Sequence, residues 1–552
     1  MVINTIKLFH LLKPIVINIK REHIVPFLLE VEGGTAMSQA TYYLGVDIGT
    51  TSTKAVLFNK QGEVITNHTI NYPLHTPNPL VAEQDPDEIF NAVSTCIRET
   101  VRNSEINPGH LQFVSFSSAM HSFIAVDKEG KLLTNSITWA DTRSATHAEQ
   151  IKQSEYGHLI YRRTGTPIHP MSPLSKLVWL KDEKPELFNQ AAKFISIKEY
   201  VFYRLFGKYV VDHSIASATG LLNLEKLDWD TEALEVAGIT SKQLSTLVPT
   251  TEAFSGLDEE LSNYMGIHST TKFIIGASDG VLSNLGVNAI EPGVIAVTIG
   301  TSGAIRTVSD KPRTDPKGRI FCYALTEDHW VIGGPVNNGG MILRWLRDEF
   351  AAAEVETAKR LGIDPYDVLT KIASGVNPGS DGLIFHPYMT GERAPLWNAN
   401  ARASFFGLSI HHEKQHMIRA VLEGVIYNLY TVLLALEELT GEPKRIQATG
   451  GFARSEMWRQ LMADIFDKPV VVPESYESSC LGAVVLGMYG TGEISDFRIV
   501  SEMIGHTHTH HPNDDTTTIY RELLPIFIRL SRILDDEYKS IADFQRKYLS
   551  DK

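Results

Sequence analysis

"GVDIGTTSTKAVLF", residues 45–58, reads as two β-rich runs joined by a Gly-Thr-Thr-Ser turn, and "AVTIGTSGAIRTV", residues 296–308, repeats the pattern about 250 residues later. Both copies run Val-x-Ile-Gly-Thr and then a hydroxyl residue, but the first carries Asp47 where the second carries Thr298. Gln61-Gly62 marks a further turn and a third run, so the first copy predicts a three-stranded meander. A repeat this long is no solenoid period and points instead to two related domains. Helical periodicity follows in "DPDEIFNAVSTCIRETV" and "EKQHMIRAVLEGVIYNLYTVLLALEEL", which with the strand patterns predicts an α/β fold. A terminal amphipathic helix is expected near Ile519 to Leu534, packed back on the body.

Composition narrows the function classes. With 552 residues and 43% hydrophobic content the chain can bury two or more cores. Lys and Arg total 51 against 65 Asp and Glu, a net charge of −14, which offers no field for nucleic acid or an anionic membrane surface. A small-molecule partner is favoured. Three scattered cysteines, Cys96, Cys322 and Cys480, make neither a disulfide framework nor a zinc site and suggest the cytoplasm. No apolar run in the sequence approaches the roughly 20 residues of a membrane span. Residues 1–36 are apolar and basic, but Lys13-Pro14 breaks the run before it makes a signal-peptide core, so a surplus, poorly ordered extension is expected.

A turn of Gly49, Thr50, Thr51 and Ser52 brings backbone N–H groups and hydroxyls close to phosphate oxygens. One such turn is as readily a tight strand connection; two, facing each other across a cleft, can hold one polyphosphate from both sides. Mg²⁺ arriving with nucleotide phosphates needs only one or two carboxylates, so Asp47 suffices. A second acid at position 298 would repel the phosphates, and Gly300, Thr301 and Ser302 offer neutral donors instead.

The motifs "DIGTTSTK", "GTSGA" and "ATGGFARSEMWRQLMADI" resemble the two phosphate motifs and the adenosine motif of the actin-like ATPase fold, a duplicated ribonuclease H-like α/β architecture with an interdomain cleft. "MSPLSKLVWLKDE" and "ASFFGLSIHHEKQHMIRAVLE" are similar to both signatures of the FGGY carbohydrate kinases, and "SFSSAMHS", "TGTPIHPMSPLSK", "VIGGPVNNGG" and "VVPESYESSCLGA" resemble the branch of that family that phosphorylates gluconate. The resemblance runs from about Tyr42 to the terminal helix. It implies an extension over 1–36, an acceptor domain over 37–290 with the first phosphate loop, and a nucleotide domain over 291–552. It further implies ATP and Mg²⁺ as cofactors, a sugar acid as partner, and room for a homodimer.

Asp279, in "KFIIGASDGVLSNLG", ends a β-run at the start of a helix, where the helix's positive end favours a carboxylate. Spacing alone reads it as an ordinary N-cap; the resemblance makes it the catalytic base, a substrate contact and a metal neighbour of Asp47. By the same resemblance Met120 and His121 match the acceptor-binding Met-His pair, Trp139, Asp141 and Arg143 of "ITWADTR" join them, and Lys54 closes the first phosphate motif. An acid acceptor needs a cation, for which Arg143 is the candidate, with Lys176 and Lys198 as competitors. The glycine pairs Gly339-Gly340 and Gly450-Gly451, with Ser455, are expected at the nucleotide because paired glycines before a helix admit a base or ribose. "GHTHTHH", with His506, His508, His510 and His511, is read as a solvated loop rather than a metal site. The alternatives are another sugar kinase of the family, such as one acting on xylulose, and an actin-like ATPase that hydrolyses ATP to change shape.

Overall fold

The computed structural model describes residues 41–473, 477–505 and 507–549, so the segment 1–36 and His506 lie outside the described residues. Strand Tyr42–Ile48 pairs antiparallel with Ser52–Asn59, which pairs antiparallel with Val64–Asn71, the meander expected from the sequence. On its other side Tyr42–Ile48 runs parallel to Leu111–Ser118, followed by parallel Lys272–Ser278 and antiparallel Ala253–Phe254 at the edge, making six strands. The later half repeats this plan. Val294–Ile299, Gly303–Ser309 and Trp330–Val336 form the meander, Arg445–Thr449 and Val470–Pro473 add the parallel strands, and Thr507–His510 is the antiparallel edge. Phe321–Ala324 extends the far side to seven. The sequence repeat is thus a duplicated sheet.

Parallel strands covered on both faces read as near-continuous apolar runs, and Leu44, Val46, Ile48, Ile295 and Val297 are all buried. Helix Pro86–Ser104 starts where Asp85 accepts the N–H groups of Asp87 and Glu88. Helix Lys414–Thr440 is long and apolar enough to cross a membrane, yet most of it is buried in the core of the later half, so its apolar surface is already covered by protein. Helix Asp514–Ile533 buries Tyr520 and Phe527 on that core and a further helix, Asp535–Leu549, follows.

The halves join through helix Ser478–Gly490, which crosses both helix Asp279–Gly286 and strand Tyr42–Ile48. A Cβ at Gly286 would stand 1.9 Å from the Ser478 carbonyl oxygen, and one at Gly482 2.0 Å from that of Leu282. Only glycine permits this approach, which buries Tyr43, Val56 and Leu285 with Val308, Phe321 and Val485 in one shared core. The histidine run departs from the expected loop: His508 and His510 lie on the edge strand, where ladder bonds to Val470–Pro473 order them, and His510 Nε2 accepts from Arg459 at 2.8 Å.

Candidate active site

Between the sheets lies a cavity of about 300 Å³. The earlier half contributes Thr50, Met120, His121, Trp139 and Asp279; the later half contributes Thr298, Gly300, Ser302, Arg306, Tyr323 and Arg393. A second cavity of about 300 Å³ is lined by Gly300, Thr301, Gly340, Gly451 and Ser455, with Tyr366 and Trp458. Gly300 lines both, so the two meet at the second loop.

The hairpins share one internal bond: Gly49 N–H donates to the Ser52 carbonyl at 2.9 Å and Gly300 N–H to that of Ser302 at 2.9 Å. Ile48 faces Thr53 whereas Ile299 faces Gly303, so the second turn is one residue tighter. The first turn is tied back through its carbonyls, with Tyr72 Oη on Gly49 and Gln84 Nε2 on Thr50, each at 2.6 Å. Thr50 alone of its four residues lines the cavity, and Thr51 is exposed. Across the strands Asp47 faces Lys54 and Thr298 faces Ala304, so the second copy lacks the lysine as well as the acid. Lys54 Nζ lies 3.1 Å from Glu477 and lines neither cavity.

Asp47 Oδ1 accepts the Ser117 hydroxyl at 2.6 Å, and burial, reinforced by the charge of Asp279, pushes its carboxyl up to about 6. Two carboxylates repelling each other in a cleft are a donor set that suits a hard cation. Asp279 is the first residue of its helix rather than the cap, with Oδ1 accepting Gly280 N–H at 2.7 Å. Burial raises its carboxyl, while Arg306 and Lys198 oppose the shift. A Cβ at Gly280 would stand 3.1 Å from Arg306 Nε, so the Asp-Gly pair leaves room for that guanidinium.

His121 sits at φ 68°, a left-handed conformation rare for a non-glycine residue, and its ring is buried against Tyr323. Its Nδ1 meets the Ala218 carbonyl at 2.7 Å, so that nitrogen donates and Nε2 is left as an acceptor. Burial, helped by the Lys176 ammonium, pulls the imidazole down to about 3 and keeps it neutral. Lys176 Nζ donates to the carbonyls of His121 at 2.9 Å and Met171 at 2.6 Å, which fixes this turn. Lys198 Nζ likewise donates to Ile275 and Ala277 at 3.2 and 3.1 Å, below Asp279. Both lysines are spent on the scaffold, and neither is the free cation expected of a competitor. Trp139 Nε1 donates to Thr50 Oγ1 at 2.9 Å, linking the acceptor wall to the first loop.

Asp141 and Arg143, expected at the acceptor, do not line the cleft cavity. Asp141 is buried, accepts Ala82 N–H at 3.0 Å and pairs with Arg143. Arg143 also pairs with Glu83 at 2.5 Å, lies over Trp179 and lines a different cavity beside Leu180 and Lys184. Two carboxylates already neutralise its guanidinium, so it offers no grip for an acceptor in the cleft.

Gly339-Gly340 pack on the second loop more than they receive a base: Gly340 and Met341 N–H donate to the carbonyls of Gly300 and Thr301 at 2.8 and 3.1 Å. Gly450, at φ 100°, turns against the Ile299 carbonyl, while Gly451 has open space beside it in the second cavity. Sequence reasoning missed Arg306, Arg393 and Tyr323. Arg306 leaves Nε and Nη1 without partners, Arg393 leaves Nε, and the hydroxyls of Thr298 and Tyr323 are buried and unpartnered too. Arg393 donates to the Val336 carbonyl at 3.1 Å and lies 5.0 Å over the Trp139 ring. Its neighbour Glu392 spends its oxygens on Asn337, Asn338, Asn428 and the Arg393 backbone N–H.

Two facing sheets of one topology, with an acid-bearing cavity opening onto a second cavity at a shared loop, define a two-substrate phosphotransferase. Residues 42–286 match the N-terminal domain of the FGGY family of carbohydrate kinases and residues 295–491 its C-terminal domain. The chain belongs to this family, whose members transfer a phosphoryl group from ATP to an alcohol. It is 63% identical over 514 residues to a gluconokinase of Bacillus subtilis (strain 168), covering 93% of this chain and all of that one. Among solved structures it is similar to a gluconate kinase from Lactobacillus acidophilus, with TM-score 0.86, 40% identity and coverage of 91% and 100%. A ligand-bound xylulose kinase from the same organism gives TM-score 0.85 and 40% identity at the same coverage.

Proposed function

We propose that the chain transfers the γ-phosphoryl group of ATP to the terminal hydroxyl of a sugar acid, D-gluconate becoming 6-phosphogluconate. The observation that carries this reading is Asp279 standing in a cavity with Met120, His121 and Trp139, where that cavity meets the nucleotide side at Gly300. Asp279 accepts the proton of the attacking hydroxyl as the oxygen–phosphorus bond forms, and its burial keeps it basic enough for the task. His121 Nε2 accepts from an acceptor hydroxyl. Thr50, Thr301 and Ser302 receive phosphate oxygens, and Gly451 and Ser455 face the nucleoside. Residues 37–290 then serve the acceptor and 291–552 the nucleotide. The three cysteines are buried free thiols, which suits a reducing cytoplasm.

Asp47 and Asp279 are the residues that would hold Mg²⁺, with water and phosphate oxygens completing its shell. Bound there, the ion supplies charge neutralisation at the transferring phosphoryl group. Because the Asp47 carboxyl is pushed up to about 6, protons compete for it below that pH. The half-saturating free Mg²⁺ should therefore rise as pH falls from 7.5 to 5, approaching about tenfold per unit at the acid end. Asp47→Asn should lose this extra dependence and need more Mg²⁺ at every pH. A parent and an Asp47→Asn protein with parallel Mg²⁺ curves at all pH values would remove Asp47 from the metal.

The 63% identity to a gluconokinase supports gluconate, while the similar structure of a xylulose kinase supports a ketose as the second reading. Coupled ADP release from purified protein with gluconate, xylulose, ribulose, glycerol or no acceptor decides between them. Gluconate-dependent release is expected. Release without any acceptor, unchanged by adding one, would favour the shape-changing ATPase.

A further inference from the structure

We infer that Arg306 and Arg393 together form the receptor for the carboxylate of the acceptor, and so select acids over neutral sugars. The inference rests on the sugar-acid reading above and assigns the residues that enforce it. Among the described residues, four that line the cleft carry buried polar atoms without partners: Arg306, Arg393, Thr298 and Tyr323. All four can donate hydrogen bonds, and two are permanent cations. Among the described residues no ion pair is formed by either guanidinium, whereas Arg143, the cation expected from the sequence, has two carboxylates.

Desolvation lowers both guanidinium values even though each has one carboxylate in electrostatic reach, Asp279 for Arg306 and Glu392 for Arg393. Burial pulls Arg393 down to about 10 and lowers Arg306, and Arg306 adds to the shift on Arg393, so the two cations repel across the cavity. Asp279 and Tyr323 are the groups that favour the charged form of Arg306, and Asp279 is reserved for the proton of the hydroxyl. Burying two like charges is costly unless an anion completes the site. Arg393 is held rigidly for that purpose by the Val336 carbonyl and the Trp139 face. Tyr323 stays protonated through burial and can donate alongside them.

An anion here could also be the γ-phosphate of ATP. The carboxylate is favoured because both arginines line the acid-bearing cavity and neither lines the second, nucleotide-side cavity. Arg306 stands on strand Gly303–Ser309 and Arg393 in a loop, and the two line the same cavity.

Titration calorimetry of the full chain tests this, with gluconate in the absence of nucleotide, with its neutral alditol glucitol, and with Mg²⁺ and a non-hydrolysable ATP analogue. Arg306→Met and Arg393→Met should each weaken gluconate binding about 30-fold or more, as expected for an unpaired buried charge. Nucleotide and glucitol binding should stay within about threefold, and the nucleotide titration also reports that each variant is folded. Gluconate affinity equal to the parent's in both variants overturns the proposal. Loss of nucleotide affinity with gluconate binding intact overturns it in favour of the phosphate. A parent that binds no gluconate would instead bring down the sugar-acid reading itself, and this receptor with it.

Discussion

Asp279→Asn should lower kcat by about 10²–10⁴-fold, the span associated with removing a general base, while leaving gluconate binding nearly unchanged. The substitution is close to isosteric, and an Asn oxygen can still accept the Gly280 N–H that Asp279 Oδ1 takes at 2.7 Å. Helix Asp279–Gly286 therefore keeps its first turn, and a loss of rate cannot be traced to a lost cap. The change also has a second, independent signature. Asp279 is one of the charges that raises the Asp47 carboxyl, so its removal should lower that value and shift the proton competition for Mg²⁺ to more acid pH. Nucleotide binding followed against Mg²⁺ at pH 5 and 7.5 reads this without any turnover. An Asn variant with full kcat would leave Asp279 as a helix-end residue only.

The duplicated fold was legible because each hairpin carries its turn chemistry locally: Gly49 and Gly300 make the same bond to a serine carbonyl two or three residues on. The parallel strands Arg445–Thr449 and Val470–Pro473 are four or five residues long, and nothing in their own pattern says which neighbour they join. The close helix crossing at Gly286 and Gly482 was likewise invisible, since it joins positions far apart in the chain.

At the site, Asp279 and the Met120-His121 pair emerged through family resemblance, and the structure gathers them around one cavity. Arg143 misled because a sequence displays a cation without its partners, and Glu83 lies 60 positions away. Arg306 was on view within the second repeat. Pleat alternation puts it on the same face as Ala304, the cross-strand partner of Thr298, and a charge on a covered sheet face signals a site. This adds a reason for the absent acid. A carboxylate at position 298 would meet the phosphates, and would also neutralise Arg306 before any ligand could. Arg393 had no such local signal, because its place over Trp139 depends on a loop fixed by Glu392 and three asparagines.

Lys198→Met should cost about 3–5 kcal/mol of folding stability, the usual penalty for leaving one member of a buried ion pair alone. Lys198 and Asp212 are both essentially inaccessible and lie 2.6 Å apart. The Asp212 carboxylate favours the Lys198 ammonium through its charge first and through close contact second. Burial lowers the Lys198 ammonium and Asp212 opposes that shift, which keeps the cation under strand Lys272–Ser278. Methionine fills a similar volume but removes the charge, strands the Asp212 carboxylate and releases the carbonyls of Ile275 and Ala277. Those carbonyls lead directly into Asp279, so the variant should also lose kcat more than it loses nucleotide affinity. Adding Asp212→Asn in the Lys198→Met background discriminates cause from coincidence. It removes the stranded charge yet keeps an oxygen to accept the Ile215 N–H that Asp212 now takes at 2.9 Å. Urea unfolding should then recover a large part of the lost stability, while kcat should stay low because the strand end below Asp279 is still untethered. A double variant no more stable than Lys198→Met would mean that lost packing, and not the unpaired carboxylate, accounts for the cost.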